Sequence, residues 1–199
     1  MEKIDSYPAW SFHKDLGASY VIWPAAFNKK ECEDLVSYVK QEILIQTAKV
    51  GGASETNENV RKGNVAFVPA TEFMVPYYNK ISDCILNMNK QFYNYDLFGF
   101  AEHLQFAEYN APGGHFSSHM DVGYGHGVRK LSVTIQLSDP NNYDGGELEI
   151  IESLEFPTIM PKDQGTLVMF PSYMLHRVLP VTRGTRHSIV GWVSGPSLR

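Results

Sequence analysis

Apolar positions recur every three or four residues in the first half of the chain and every second residue in the second half. After Asn28, a residue suited to capping, Cys32, Leu35, Val36, Val39, Ile43 and Leu44 fall at helical spacing and predict a helix over 29–46. Ile81, Ile85, Met88 and Phe92 repeat the pattern and predict a second helix over 74–93. Residues 20–23 and 65–68 read as short strands. Residues 51–59 are small and polar without a period, which reads as a mobile loop. Extended to Lys62, this stretch is either a lid that contacts substrate or an inert surface loop.

From Glu102 onward, short apolar stretches alternate with Gly, Pro and Asn turns, and strands are expected near 104–109, 131–137, 147–151, 166–170 and 187–193. Helices first and strands after imply an α+β, mainly β domain, in which N-terminal helices buttress one sheet of a barrel. A length of 199 residues suits a single domain. Residues 1–100 would be helical support and first strands, and 101–199 the β core.

Composition narrows the class. Hydrophobic residues make up 43% and charged residues 20%, as in ordinary globular chains. No run of about 18 apolar residues indicates a membrane span. The start, Met-Glu-Lys-Ile-Asp-Ser-Tyr, lacks the apolar stretch of a secretory signal. Cys32 and Cys84 have no metal or disulfide spacing, so a cytoplasmic setting is expected. A net charge of −5 argues against a nucleic-acid partner. Nothing in the sequence fixes an oligomeric state.

The candidate chemistry begins at His119-Met120-Asp121. Residues two apart on an extended chain point the same way, so an imidazole and a carboxylate project together. His176, expected at the end of the 166–170 strand, is the candidate third ligand. Two His and one carboxylate make the facial set of non-haem Fe(II) sites, which leaves positions open for a cosubstrate and dioxygen. A His-x-Asp tripeptide is also common by chance. His115 and His119 are four apart, but the Glu of a zinc-protease helix is absent, and Gly113-Gly114 opposes a helix there; His115 and His126 are not expected to be ligands.

On a strand, Arg186, Ser188, Val190 and Trp192 share a face. A buried Arg needs an anion, and its planar fork matches a carboxylate such as the far end of 2-oxoglutarate, with Ser188 adding a hydroxyl. A surface Arg in a turn is the plainer alternative. Ser132, Thr134 and Gln136 form the polar face of the 131–137 strand, which lines a pocket if the sheet closes into a barrel and meets water if it does not. Tyr109 ends the preceding strand, either reaching a bound carboxylate or sitting in the core.

The ordered run Tyr109, His119-Met120-Asp121, Leu131-Ser132-Val133-Thr134, Tyr143-Asp144-Gly145-Gly146-Glu147-Leu148, Gly165-Thr166, Phe170-Pro171-Ser172, His176-Arg177-Val178 and Arg186 closely resembles the prolyl 4-hydroxylase-like group of 2-oxoglutarate/Fe(II) oxygenases, over about residues 100–195. The region of Asn59-Val60-Arg61-Lys62 is more loosely similar to the family's N-terminal support. The resemblance implies a double-stranded β-helix (jelly roll) and a dioxygenase using Fe(II), 2-oxoglutarate and O2. It implies iron at His119, Asp121 and His176, and 2-oxoglutarate at Arg186 with Ser188 and Tyr109. Gln136 stands where some members carry a second Tyr. Arg61 is a candidate substrate contact, as is Tyr124, which sits in the flexible Gly123-Tyr124-Gly125 just after Asp121, and L-ascorbic acid binding comes with the family. The implied substrate is a prolyl or other residue in a protein or peptide. A free amino acid or another small molecule, a cupin-like metal enzyme without 2-oxoglutarate, and a non-catalytic jelly-roll module remain the alternatives.

Overall fold

The computed structural model describes residues 17–49, 56–100, 102–122 and 128–196. Strand β1 (Val21–Trp23) precedes helix α1 (Lys29–Glu42), followed by β2 (Gln46–Thr47), β3 (Arg61–Lys62) and β4 (Asn64–Val68). Helix α2 (Val75–Phe92) leads into β5 (Gly99–Phe100), β6 (Leu104–Asn110), β7 (His115–His119) and β8 (Arg129–Gln136). The chain ends with β9 (Tyr143–Gly145), β10 (Leu148–Ile150), β11 (Thr158–Ile159), β12 (Leu167–Pro171), β13 (His176–Val178) and β14 (Val181–Ser194).

Two antiparallel sheets face each other. The larger runs β1-β12-β8-β14-β6-β4-β2, with β5 and β9 also paired to β14; the smaller runs β11-β10-β13-β7-β3. Strand alternation assigns each residue a layer. Leu104 and Phe106, Leu131 and Val133, Leu167 and Met169, and Ile189 point outward and pack with Cys32, Leu35 and Val39 of α1 and Ile81, Ile85 and Met88 of α2. Their neighbours in sequence, among them Ala107, Tyr109, Val168 and Phe170, point inward and meet Leu148, Ile150 and Val178 of the smaller sheet. The helices therefore cover one sheet only, and the space between the sheets is left for the site.

Helix α1 starts with a reciprocal cap. Glu31 N donates to the Asn28 side chain at 3.0 Å, and Asn28 N donates to the Glu31 carboxylate at 2.7 Å. It stops at Glu42 rather than reaching residue 46: Ile43 is extended, Leu44 is 74% exposed, and Gln46–Thr47 pairs with β4. Sheet pairing overrides a helical period that the β-branched run holds weakly. Helix α2 falls within a residue of its expected span, but its buried face is Ile81, Cys84, Ile85 and Met88, and Phe92 is 38% exposed at its last position. Asn89 closes that end by bonding Tyr95 O and Tyr95 N, at 2.9 and 3.0 Å.

Two strands escape the apolar pattern. His115–His119 is strand despite its polar composition, because its inward face lines the site. His176 opens its own strand in the smaller sheet instead of ending the 166–170 strand, which lies in the larger one. The final strand extends back to Val181, because its first half pairs with β9. Of the loop expected at 51–62, residues 51–55 lie outside the described residues, and Arg61–Lys62 is strand paired to β7, so the loop ends sooner. Gly165 (φ +83°) fastens the N-terminal segment to the barrel. Phe27 N donates to Gly165 O at 3.0 Å, and a Cβ at Gly165 would stand 1.8 Å from Phe27 O.

Candidate active site

Pairing of β7 with β13 sets His119 opposite His176, with ring centroids 4.1 Å apart. Asp121, just beyond β7, places Oδ1 3.7 Å from His119 Nε2 and Oδ2 3.6 Å from His176 Nε2. One ligand atom from each of the three lies within 4.8 Å of the others. His119 Nδ1 meets Ser117 O at 2.8 Å and His176 Nδ1 meets Met174 O at 2.9 Å. A carbonyl only accepts, so both Nδ1 atoms carry hydrogen, and in the neutral rings both Nε2 lone pairs are bare and face the carboxylate.

Burial pushes the His119 imidazolium down to about 4, with His176 adding to the effect against the pull of Asp121. The Asp121 carboxyl is also lowered: burial pushes it up, but His176, the Ser132 hydroxyl and His119 together outweigh this. Ser132 Oγ donates to Asp121 Oδ2 at 2.6 Å and lies 3.0 Å from Ser172 Oγ. Asp121 N donates to Ser172 O at 2.9 Å. A buried carboxylate facing two bare imidazole nitrogens is the donor set of a divalent transition metal, and Fe(II) fits it.

The cavity beside the triad runs between the sheets to Arg186 and is lined by Arg61, Gln105, Tyr109, Phe116, Leu148, Ser188 and Trp192, among others. Arg186 is 3% exposed, donates to Ser188 Oγ at 3.3 Å, and has no carboxylate partner among the described residues. It is neither the surface Arg of a turn nor a paired core Arg. Burial pushes its basicity down, partly offset by Tyr143 and Tyr109.

Residues 104–194 match the sequence model of the 2OG-Fe(II) oxygenase superfamily. The match spans the strands that carry the triad and Arg186. A PKHD-type hydroxylase of Idiomarina loihiensis is 42% identical over 82 residues, covering 41% of this chain and 37% of the relative. One from Picosynechococcus is 41% identical over 91 residues, covering 45% and 41%. The chain thus matches about two fifths of the length of these curated relatives. A Pseudomonas putida prolyl-4-hydroxylase structure superposes with a TM-score of 0.73 at 23% identity, covering 88% of this chain and 92% of that one. A Trichoplax adhaerens prolyl hydroxylase, solved with a hypoxia-inducible-factor peptide, gives 0.74 at 18% identity, covering 89% and 84%. These superpositions show the fold, a double-stranded β-helix.

Within the β core the expected site residues take these places. His119, Asp121 and His176 converge; His115 stays outside the cluster, with Nδ1 on Gly113 O at 2.9 Å. Tyr109 lies beside Arg186, whose guanidinium carbon is 5.8 Å from the ring centre. Gly63 leaves room for that ring, since a Cβ there would stand 2.8 Å from Tyr109 Cδ1. Gln136 donates to Tyr143 Oη at 2.7 Å and lines, with Arg186, a small separate pocket that shares Thr134 and Leu148 with the triad cavity. Arg61 lines the cavity; Tyr124 and His126 lie outside the described residues. The sequence reading missed Arg129, which donates to Asp121 O at 3.2 Å, pairs with Glu102 at 2.7 and 2.6 Å, and lies 4.0 Å over the Trp192 ring. No local pattern marks it. Ser172 was visible only as part of the family run.

Among the described residues no helix is long and apolar enough to cross a membrane.

Proposed function

We propose that this chain is an Fe(II)- and 2-oxoglutarate-dependent dioxygenase that hydroxylates a C–H bond of a prolyl or other residue in a protein or peptide. One observation carries the reading: a triad with bare Nε2 atoms shares its cavity with a buried Arg186 that lacks a carboxylate. A cupin-like enzyme without 2-oxoglutarate has no use for that cation. The peptide reading draws support from the prolyl-hydroxylase neighbours, one of them solved with a peptide.

His119, Asp121 and His176 would hold the iron, with the Ser117 and Met174 carbonyls fixing both imidazoles as Nε2 donors. Ser132 keeps Asp121 ionised and oriented. Arg186 and Ser188 would take the distal carboxylate of 2-oxoglutarate, Tyr109 would flank it, and Gln136 would act by fixing the Tyr143 phenol beside Arg186. Bound iron supplies the oxidation, in which dioxygen gives one oxygen atom to the substrate C–H bond and one to 2-oxoglutarate, released as succinate and CO2. The apolar walls at Phe116, Leu148 and Trp192 keep water from the reacting carbon.

The test is Fe(II)-dependent succinate formation, with a search by mass spectrometry for a gain of one oxygen in prolyl peptides and free amino acids. His119→Ala, Asp121→Ala and His176→Ala are expected to abolish succinate, and His115→Ala to retain it. Arg186→Ala should raise the apparent KM for 2-oxoglutarate by the equivalent of about 2–5 kcal/mol. No succinate from the unaltered protein with any substrate, or an unchanged KM in Arg186→Ala, would refute the assignment.

A further inference from the structure

Five arginines fall among the described residues. Arg129, Arg177 and Arg183 each pair with a carboxylate, from Glu102, Glu149 and Asp144. Arg61 and Arg186 do not, and both line the iron cavity. Arg186 is accounted for by 2-oxoglutarate. Arg61 is not, although it is 9% exposed and an uncompensated buried cation is costly.

The geometry of Arg61 is that of a held but unsaturated donor. It projects inward from β3, opposite Phe116 on β7. Its NH2 group donates to Gln105 Oε1 at 2.9 Å and reaches Tyr109 Oη at 3.5 Å. Its Nε is shut off from solvent and has no hydrogen-bond partner. The guanidinium lies 4.5 Å from the Phe116 ring centre, and Phe116 in turn stacks on His119 at 3.6 Å. One aromatic ring thus separates the guanidinium from the candidate metal ligand His119. The charges of the cavity point the same way. Asp121 answers one of the two guanidinium charges, and Fe(II) and the 2-oxoglutarate dianion cancel, so the loaded cavity keeps one positive charge.

We infer that Arg61 receives a carboxylate of the substrate. The residue hydroxylated then carries its own carboxylate near the reacting carbon, as a C-terminal residue of a peptide or a free amino acid, and not as an internal residue. This rests on the oxygenase reading of the site and gives its substrate a free carboxylate, which admits a free amino acid beside a peptide's C-terminal residue and excludes the internal residue.

The test compares acids with their amides. The probes are the free amino acids, glycyl dipeptides ending in a free carboxylate, and the amide of each. Binding is measured by calorimetry on protein loaded with Mn(II) and 2-oxoglutarate without oxygen. At least one acid is expected to bind about tenfold or more tightly than its amide, the scale of a charge-assisted hydrogen bond. Binding among free amino acids or among dipeptides identifies the source. Arg61→Gln should bring acid and amide to parity while 2-oxoglutarate affinity changes less than about twofold, and Arg61→Lys should keep part of the preference. The acid-to-amide ratio in the unaltered protein stands even if a variant fails to fold. Equal binding of acids and amides, no binding by any acid, or a preference that survives Arg61→Gln overturns the inference. Absence of Fe(II)-dependent succinate with a bound acid would instead count against the oxygenase reading.

Discussion

The Ser132 hydroxyl gives Asp121 its shortest hydrogen bond, 2.6 Å, and stands where one methyl's worth of side chain can be kept without it. Ser132→Ala should weaken Mn(II) binding about tenfold or more, as loss of a ligand's outer hydrogen bond usually does, while 2-oxoglutarate still reaches Arg186. Metal titration followed by calorimetry measures this, and unchanged affinity would remove Ser132 from the site. On the outer side of the larger sheet, Glu108 accepts from Asn64 at 3.0 Å, from Asn110 at 3.2 Å and from His187 at 3.1 Å. Burial pushes its carboxyl up, but these bonds outweigh it and bring it down to about 2 from the usual 4.5. Its folded value lies below its unfolded one, so the stability it contributes is complete above about 4.5 and is lost as pH falls toward 2. Urea midpoints measured across that range should fall less steeply in Glu108→Gln than in the unaltered protein.

Each element owes its boundaries to a contest between local pattern and pairing. Helix α1 keeps its predicted start because the Asn28–Glu31 cap is local, and loses its predicted end because β4 lies far away in sequence. Strand β7 is hidden to a search for apolar alternation, since Phe116 is its only large apolar residue and its inward face serves the metal. The turn at Gly165 ties the N-terminal segment at Phe27 to the β core. An Ala there meets both a left-handed backbone, costing about 1–2 kcal/mol, and the Phe27 carbonyl. Gly165→Ala should destabilise the protein by more than about 2 kcal/mol and release the segment around Phe27 to hydrogen exchange. A thermal midpoint and exchange pattern like those of the unaltered chain would contradict this.

Across the whole molecule, the triad joins the neighbouring strands β7 and β13 of the smaller sheet, so a metal held there would couple to folding. Mn(II) at a hundred times its Kd should stabilise the fold by about 2.7 kcal/mol, or roughly 5–10 °C in Tm for a chain of this size. Chelation should reverse the shift and His176→Ala should remove it; a shift that survives His176→Ala would place the metal elsewhere. The sequence by itself determined whatever depends on neighbours a few residues apart. It specified the two helices and most of their buried positions, the inward polar face of Ser132, Thr134 and Gln136, the joint projection of His119 and Asp121, and the alignment of Arg186 with Ser188. Only the tertiary structure decided what depends on strand register: His176 opposite His119, Arg61 over Phe116, and Arg129 on the Asp121 carbonyl. Those contacts are set by backbone hydrogen bonds between distant strands and by which charges remain unpaired once the sheets close, and a periodicity of two or of 3.6 carries no record of either.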